Sequence, residues 1–224
     1  MDKIINFLYD NYFLIIIIYI IIIILLIYLI LKFIKYYFGN FHEANVFRRL
    51  KNIYNKFDYP YIKQIILPIN KETYAYYDAI VFGDKFIYLL EIKNHQGNIL
   101  IDPLDDWTYH DKKGQEYHFM NSFYELELKK HIINRFLEVD KHRIIEVTIY
   151  NTKTKPQGNK GKNHLIAVNQ INSLIQHYEK KENISKFSPD IIEQKGNYIL
   201  EINIKQRSIR KKVINDLKNQ RIKR

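Results

Sequence analysis

Asp78, Glu91 and Lys93 have the types and spacing to hydrolyse a phosphodiester. They lie within YAYYDAIVFGDKFIYLLEIKNHQG, positions 74–97. Two runs rich in Tyr, Ile, Val and Phe flank Gly83-Asp84, a dipeptide suited to a two-residue hairpin turn with Gly in its first position. That turn pairs Phe82 with Lys85 and sets Asp78 opposite Leu89, with Glu91 as its diagonal neighbour. Side chains alternate with period two, so Asp78, Leu89, Glu91 and Lys93 share one face. The two carboxylates then stand roughly 7 Å apart, a gap that one divalent cation closes. Such a cation relieves their repulsion and gives a phosphate oxygen a positive partner. A Glu-x-Lys triplet alone has a plainer reading as a strand end running into water. The chemical reading gains its weight from Asp78 in register.

The elements around these residues are those of a mixed sheet clad by helices. Ile87, Leu89 and Leu90 are apolar on both faces, as in an interior strand. Upstream, Asn40 can cap a helix whose third residue on is Glu43, and Val46, Leu50, Ile53 and Phe57 form an apolar stripe at helical spacing. On the residues alone, Glu43 serves that capping box. A strand is predicted over Tyr61 to Ile69. Short strands follow near Ile99 to Ile101, Trp107 to His110 and Glu116 to Phe119, with Lys112-Lys113-Gly114 as a hairpin tip. Trp107 reads as a packing anchor. A helix from Ser122 to Glu138 carries Phe123, Leu126, Ile133 and Leu137. Strands at Ile144–Tyr150 and Leu165–Val168 flank a basic loop with Lys153, Lys155, Lys160 and Lys162, which can contact phosphates or serve as a solvated connector. Asn169 is expected to cap a further helix. The order of elements predicts an α/β fold.

In order and spacing, Glu43, Asp78, Glu91-Ile92-Lys93, Asn94-His95-Gln96-Gly97-Asn98-Ile99, Trp107 and Asn121 resemble the nuclease-related domain (NERD) family, over about Phe41 to Tyr178. That family belongs to the restriction-endonuclease-like PD-(D/E)xK superfamily. The resemblance implies a restriction-endonuclease-like mixed sheet flanked by helices. It also implies a nuclease in which Asp78, Glu91 and the Ile92 carbonyl hold Mg²⁺ or Mn²⁺ and Lys93 completes the catalytic set, with Glu43 and Glu125 as accessory carboxylates. The chain departs from the family's pattern at Tyr77, Ala79 and Ser122, and at Glu125, where an amide is usual. A carboxylate at 125 either strengthens cation binding or alters phosphate placement.

Composition adds a membrane and an anionic partner. Residues 11–31 are 21 consecutive uncharged residues, nearly all Ile, Leu, Tyr and Phe. As a helix they extend about 31 Å against a hydrocarbon core of about 30 Å, and no small-residue cleavage site follows. Lys3 stands alone before them, whereas Lys32, Lys35, Arg48, Arg49 and Lys51 follow. The positive-inside rule therefore predicts a single-pass protein of the cell membrane with its C-terminal domain in the cytoplasm. The absence of cysteine fits a reducing compartment and excludes cysteine-based zinc modules.

The expected organisation is an anchor at 1–38, a nuclease domain at 39–182 and a basic extension at 183–224. In the extension, Tyr198 to Ile204 alternates like a strand and Gln206 to Arg224 reads as a helix. From Glu201 onward nine Lys or Arg stand against two acids, giving +7 of the chain's formal +11. Arg210, Lys211 and Lys212 are the expected contacts to nucleic acid, DNA favoured, or to the anionic lipid of the inner leaflet. No H-E-x-x-H, Walker-type or G-x-S-x-G pattern occurs, so a zinc peptidase, an NTPase cycle and a serine nucleophile have nothing to build on. The remaining alternative is a catalytically idle nucleic-acid-binding or scaffold domain of the same fold.

Overall fold

The computed structural model describes residues 12–220 apart from Asn40, Gln96 and Lys112. The expected cap at Asn40, the first residue of the apolar run, the flanking Lys3, Gln96 of the turn, Lys112 of the hairpin tip and the last four residues lie outside that set. The chain divides into two units, Met1–Ala44 and Asn45–Arg224.

The first unit contains α1 (Tyr12–Gly39) and the start of α2 (Phe41–Phe57). Over positions 16–31 of α1 every side chain is exposed. No helix among the described residues is long and apolar enough to cross a membrane. The span expected over residues 11–31 therefore rests on the sequence.

The second unit holds two mixed sheets where the sequence predicted one. The larger has the order β1 (Tyr61–Pro68), β2 (Tyr74–Phe82), β3 (Ile87–Lys93), β7 (Ile144–Tyr150), β9 (His164–Ala167). Its first three strands are antiparallel and the last three parallel. The smaller has the order β6 (Glu116–Phe119), β5 (Trp107–His110), β4 (Asn98–Ile101), β8 (Lys155–Gly158). Thus the basic segment read as a loop from 151 to 164 contains a strand, paired in parallel with β4.

One face of the larger sheet packs Ala79, Val81, Tyr88, Leu90, Ile92 and Val147 in a core with Val46, Leu50 and Ile53 of α2 and Ile171 and Ile175 of α4 (Ile171–Glu179). The other face packs Ile80, Phe82, Ile87, Leu89 and Ile144 in a core with Leu126, Ile133 and Leu137 of α3 (Ser122–Leu137). A strand covered on both faces is apolar on both, which is why β3 reads IYLL before its charged end. Trp107 is 1 % exposed and donates Nε1–H to the Asp102 carbonyl at 3.0 Å, as a packing anchor should.

Three local expectations are corrected. The β2–β3 hairpin closes with Gly83 N–H on the Phe86 carbonyl, 2.8 Å, and Phe82 pairs with Ile87. The loop is two residues longer than predicted, because Glu179 of α4 accepts from Lys85 N–H at 2.8 Å and from the Tyr88 hydroxyl at 2.8 Å and holds it open. A Cβ on Gly83 would meet the Glu179 carboxylate, so a larger residue there would displace the side chain that holds the loop open. Second, Asn169 lies within a 3₁₀ turn, Val168–Gln170, and caps no α-helix. Third, Tyr198–Ile204 is mostly helix: α5 spans Pro189–Ile202, capped by Ser188 with proline in its first turn. Ile192, Ile199 and Ile202 recur at spacings of seven and three and pack in the α3-side core, so the helical period overrides the alternation. Beyond α5, Ile204 N–H donates to the Ile66 carbonyl at 2.9 Å, while the Asn203 side chain accepts from Ile66 N–H at 3.0 Å. The last helix, α6 (Arg207–Gln220), follows.

Candidate active site

The α3 side of the larger sheet is apolar along most of its length and charged at one end. The β2–β3 ladder is registered as far as Ala79 and Leu90, so one step further sets Asp78 directly across from Glu91. The longer loop slips the register by two residues. An even slip preserves the faces, so the shared face inferred for Asp78, Glu91 and Lys93 survives. All three are buried, at 4 %, 2 % and 5 % exposure, which excludes a strand end running into water.

Each carboxylate oxygen of Glu91 takes an ammonium: Oε1 from Lys93 Nζ at 2.9 Å and Oε2 from Lys129 Nζ at 2.6 Å. Glu125, one turn before Lys129 on α3, holds the same two lysines, at 3.3 Å from Lys93 and 2.7 Å from Lys129. Two carboxylates and two ammoniums therefore close a ring. Asp78 stands beside it, and its Oδ2 accepts from Ile92 N–H at 2.7 Å. The Tyr77 hydroxyl donates to the Lys129 carbonyl at 2.9 Å and fixes the height of α3 over the sheet. At the head of α3, Asn121 accepts from Phe123 N–H and donates to the Asp102 and Asp105 carbonyls, tying the helix start to the β4–β5 loop.

The electrostatics split the two facing carboxyls. Burial, then the neighbouring Glu91, push Asp78 up from 3.8 to about 7, against the pull of the lysines and the Ile92 hydrogen bond. Burial would also raise Glu91, but Lys129 and Lys93 outweigh it and hold that carboxyl at about 2. Burial alone would push Lys129 down; Glu91, Glu125 and Asp78 overcome this and hold it well above the ordinary lysine value. Glu125 is lowered by Lys93 and Lys129 despite its own burial.

A cavity of about 490 Å³ opens onto this ring, with Lys93, Glu125 and Lys129 in its wall beside Tyr76, His95 and Phe119. Asp78 and Glu91 do not line it. Among the described residues no three His, Cys, Asp or Glu side chains group as a metal-ligand cluster. Two carboxylates with a backbone carbonyl are nonetheless the hard oxygen set that Mg²⁺ accepts alongside water and phosphate. Thr148, which pairs with Glu91 across β3 and β7, is fully buried with its hydroxyl unpartnered among the described residues. An unused oxygen at the position paired with Glu91 fits a site built to take an additional polar species.

The other expected residues are dispersed. Glu43 is in the first turn of α2, in the first unit, and no part of the ring is built from it. Lys153, Lys155, Lys160 and Lys162 are exposed on the segment between β7 and β9. Lys211 and Lys212 are exposed on α6. Arg210 is engaged with the backbone, donating to the Gln64 carbonyl at 2.8 Å and the Ile204 carbonyl at 3.0 Å. Gln64 has φ +53° and, from the register on either side, stands opposite Asp78, so Arg210 braces a strained residue across from the candidate site. Lys129 escaped the sequence reading. Its signal was a lysine among Leu126, Ile133 and Leu137 on the buried stripe, four residues after Glu125.

A family description, nuclease-related domain, matches residues 38–152, just over half of the chain. The chain belongs to the nuclease-related domain family. No curated protein and no solved structure matches it. The matched segment of the nuclease-related domain includes Asp78, Glu91, Lys93, Glu125 and Lys129. It stops before α5 and α6, although Leu217 of α6 also lines the cavity.

Proposed function

We propose that this chain is a cation-dependent nuclease of the restriction-endonuclease-like superfamily that hydrolyses phosphodiester bonds, with DNA as the favoured substrate. The observation that carries the reading is the buried convergence of Asp78, Glu91 and Lys93 behind a cavity that Lys93 reaches. Asp78, Glu91 and the Ile92 carbonyl would hold Mg²⁺ or Mn²⁺, whose chemistry when bound is to polarise a phosphoryl oxygen and acidify water. Lys93, in the cavity wall, would donate to the attacking water and balance charge growing on the phosphate oxygens. Glu125 would keep Lys93 aimed. His95 and Phe119, stacked on each other with ring centroids 4.8 Å apart, give the cavity an aromatic wall along which a base would pack.

Residues 11–31 would hold the enzyme at the membrane with the catalytic unit on the cytoplasmic side. The exposed lysines of α6 would meet nucleic acid or anionic lipid. A reporter fused after Arg224 should be active only in the cytoplasm, and activity outside would refute the orientation.

The deciding experiment incubates the protein with single-stranded DNA, duplex DNA and RNA in Mg²⁺, Mn²⁺ or chelator. Cleavage should require the cation and disappear in Asp78→Asn and Glu91→Gln. It should fall about a hundredfold in Lys93→Ala, on the order of one transition-state electrostatic interaction. Binding of nucleic acid with no cleavage by the parent under any of these conditions would favour the idle binding domain.

A further inference from the structure

Lys129 is the member of the ring that the proposed cation chemistry leaves without a role. Its Nζ is 2.6 Å from Glu91 Oε2 and 2.7 Å from Glu125 Oε1, and the residue is 6 % exposed. Glu91 has both oxygens committed, one to Lys93 and one to Lys129. Asp78, beside it, has the Ile92 N–H as its only hydrogen bond among the described residues. Asp78 and Glu91 would hold a divalent cation only through lone pairs of Glu91 that the lysines already use. The two ammoniums also oppose its charge. Of these, Lys93 is the one assigned to water and phosphate.

We infer that Lys129 competes with the divalent cation for Glu91 and so sets the metal affinity of the site. This rests on the nuclease reading and adds a residue that the reading does not require. Lys129 is suited to competition because it is held at two points. Withdrawn from Glu91, it keeps Glu125, its neighbour one turn back on the same helix, and it already lies in the cavity wall. The exchange therefore moves one flexible side chain by a short distance and leaves no ammonium unpaired. A cation held weakly against this competitor gains from any further oxygen ligand, and a substrate phosphate in the cavity supplies one. Metal and nucleic acid then bind cooperatively, and a nuclease in contact with its own cell's nucleic acid stays idle until the correct phosphate is seated.

The test is calorimetric titration of the full-length protein with Mn²⁺ at low salt, for the parent, Lys129→Gln and Lys129→Met. Glutamine removes the charge while still donating to Glu91 and Glu125, so it guards against a simple loss of fold in the methionine variant. Lys130→Gln is the control, since Lys130 pairs with Glu146 outside the ring at 2.8 Å. Removing a like charge from within about 4–6 Å of a site shifts its occupancy by about one to three powers of ten. Both Lys129 variants should therefore bind Mn²⁺ at least about tenfold more tightly than the parent, and Lys130→Gln should match the parent. Binding by the variants alone would also support competition. Parent and Lys129 variants binding Mn²⁺ equally, or the variants more weakly, would overturn competition and leave the nuclease reading standing. No binding by any of them would overturn the metal-dependent reading, and the competition with it.

Discussion

Asp78→Asn should stabilise the protein at alkaline pH in chelator and leave it unchanged at acid pH. Asp78 is 4 % exposed, and burial together with Glu91 moves its carboxyl from 3.8 to about 7. At about 1.4 kcal/mol per pH unit, that displacement puts about 4 kcal/mol between the two ionisation states. The direction follows from proton binding. Between about pH 4 and 7 the folded protein keeps a proton on Asp78 that the unfolded chain has released. Stability therefore falls as pH rises through that window and stays lowered above it. Asparagine carries no charge at any pH, and its side-chain oxygen can still accept from Ile92 N–H. Groups titrating in both proteins cancel in the difference. The variant's advantage should be close to zero at about pH 4, grow through pH 6 and approach about 4 kcal/mol at pH 8 as an upper limit. Urea denaturation of the full-length protein in mild detergent and EDTA, followed by fluorescence of Trp107, reads this directly. Saturating Mg²⁺ should reverse the order at pH 8, because a ligand of the native state stabilises only the protein that binds it. A pH-independent difference, or a variant less stable than the parent at pH 8 without metal, would refute the reasoning.

The remaining expectations concern the ring and the C-terminal helix. Glu91→Gln should act in the opposite sense and destabilise the protein by about 3–5 kcal/mol, since Glu125 is then the one ring carboxylate left to balance two buried ammoniums; a loss below about 1 kcal/mol in urea melts would contradict the ring's importance. Arg210→Ala should cost about 1–3 kcal/mol and speed amide exchange along β1 near Ile66, as the Gln64 and Ile204 carbonyls lose their donor; unchanged exchange there would show that the brace is dispensable. Lys211→Glu combined with Lys212→Glu should lower the salt dependence of duplex-DNA binding by a slope of about 2, at about 0.9 for each phosphate that is no longer neutralised. An unchanged slope would assign those lysines to lipid or solvent.

Much of the site was legible in the sequence because a strand's period of two is rigid. Asp78, Glu91 and Lys93 share a face in any register differing by an even number of residues, so the wrong turn length did no harm to the inference. The helix carrying Glu125 was equally plain from its apolar stripe, whereas Asn121 as its cap emerged only with the fold. Turn length itself was decided by Glu179, a carboxylate 96 positions beyond Gly83 that holds the loop open through Lys85 and Tyr88. The helix over Pro189–Ile202 was misread at its end because Tyr198, Leu200 and Ile202 also alternate. Only packing of Ile192 and Ile199 against the α3-side core selects the longer period. Neither the ring nor the brace on Gln64 has a local signature. Lys129 meets Glu91 across 38 positions, and Arg210 meets Gln64 across 146. Residue type and period fix which face of an element is charged. Which charges are paired, and so which stay ionised, is set by desolvation and by partners that approach only when α3 and α6 settle on the sheet, because the strength of each interaction depends on the burial that tertiary packing creates.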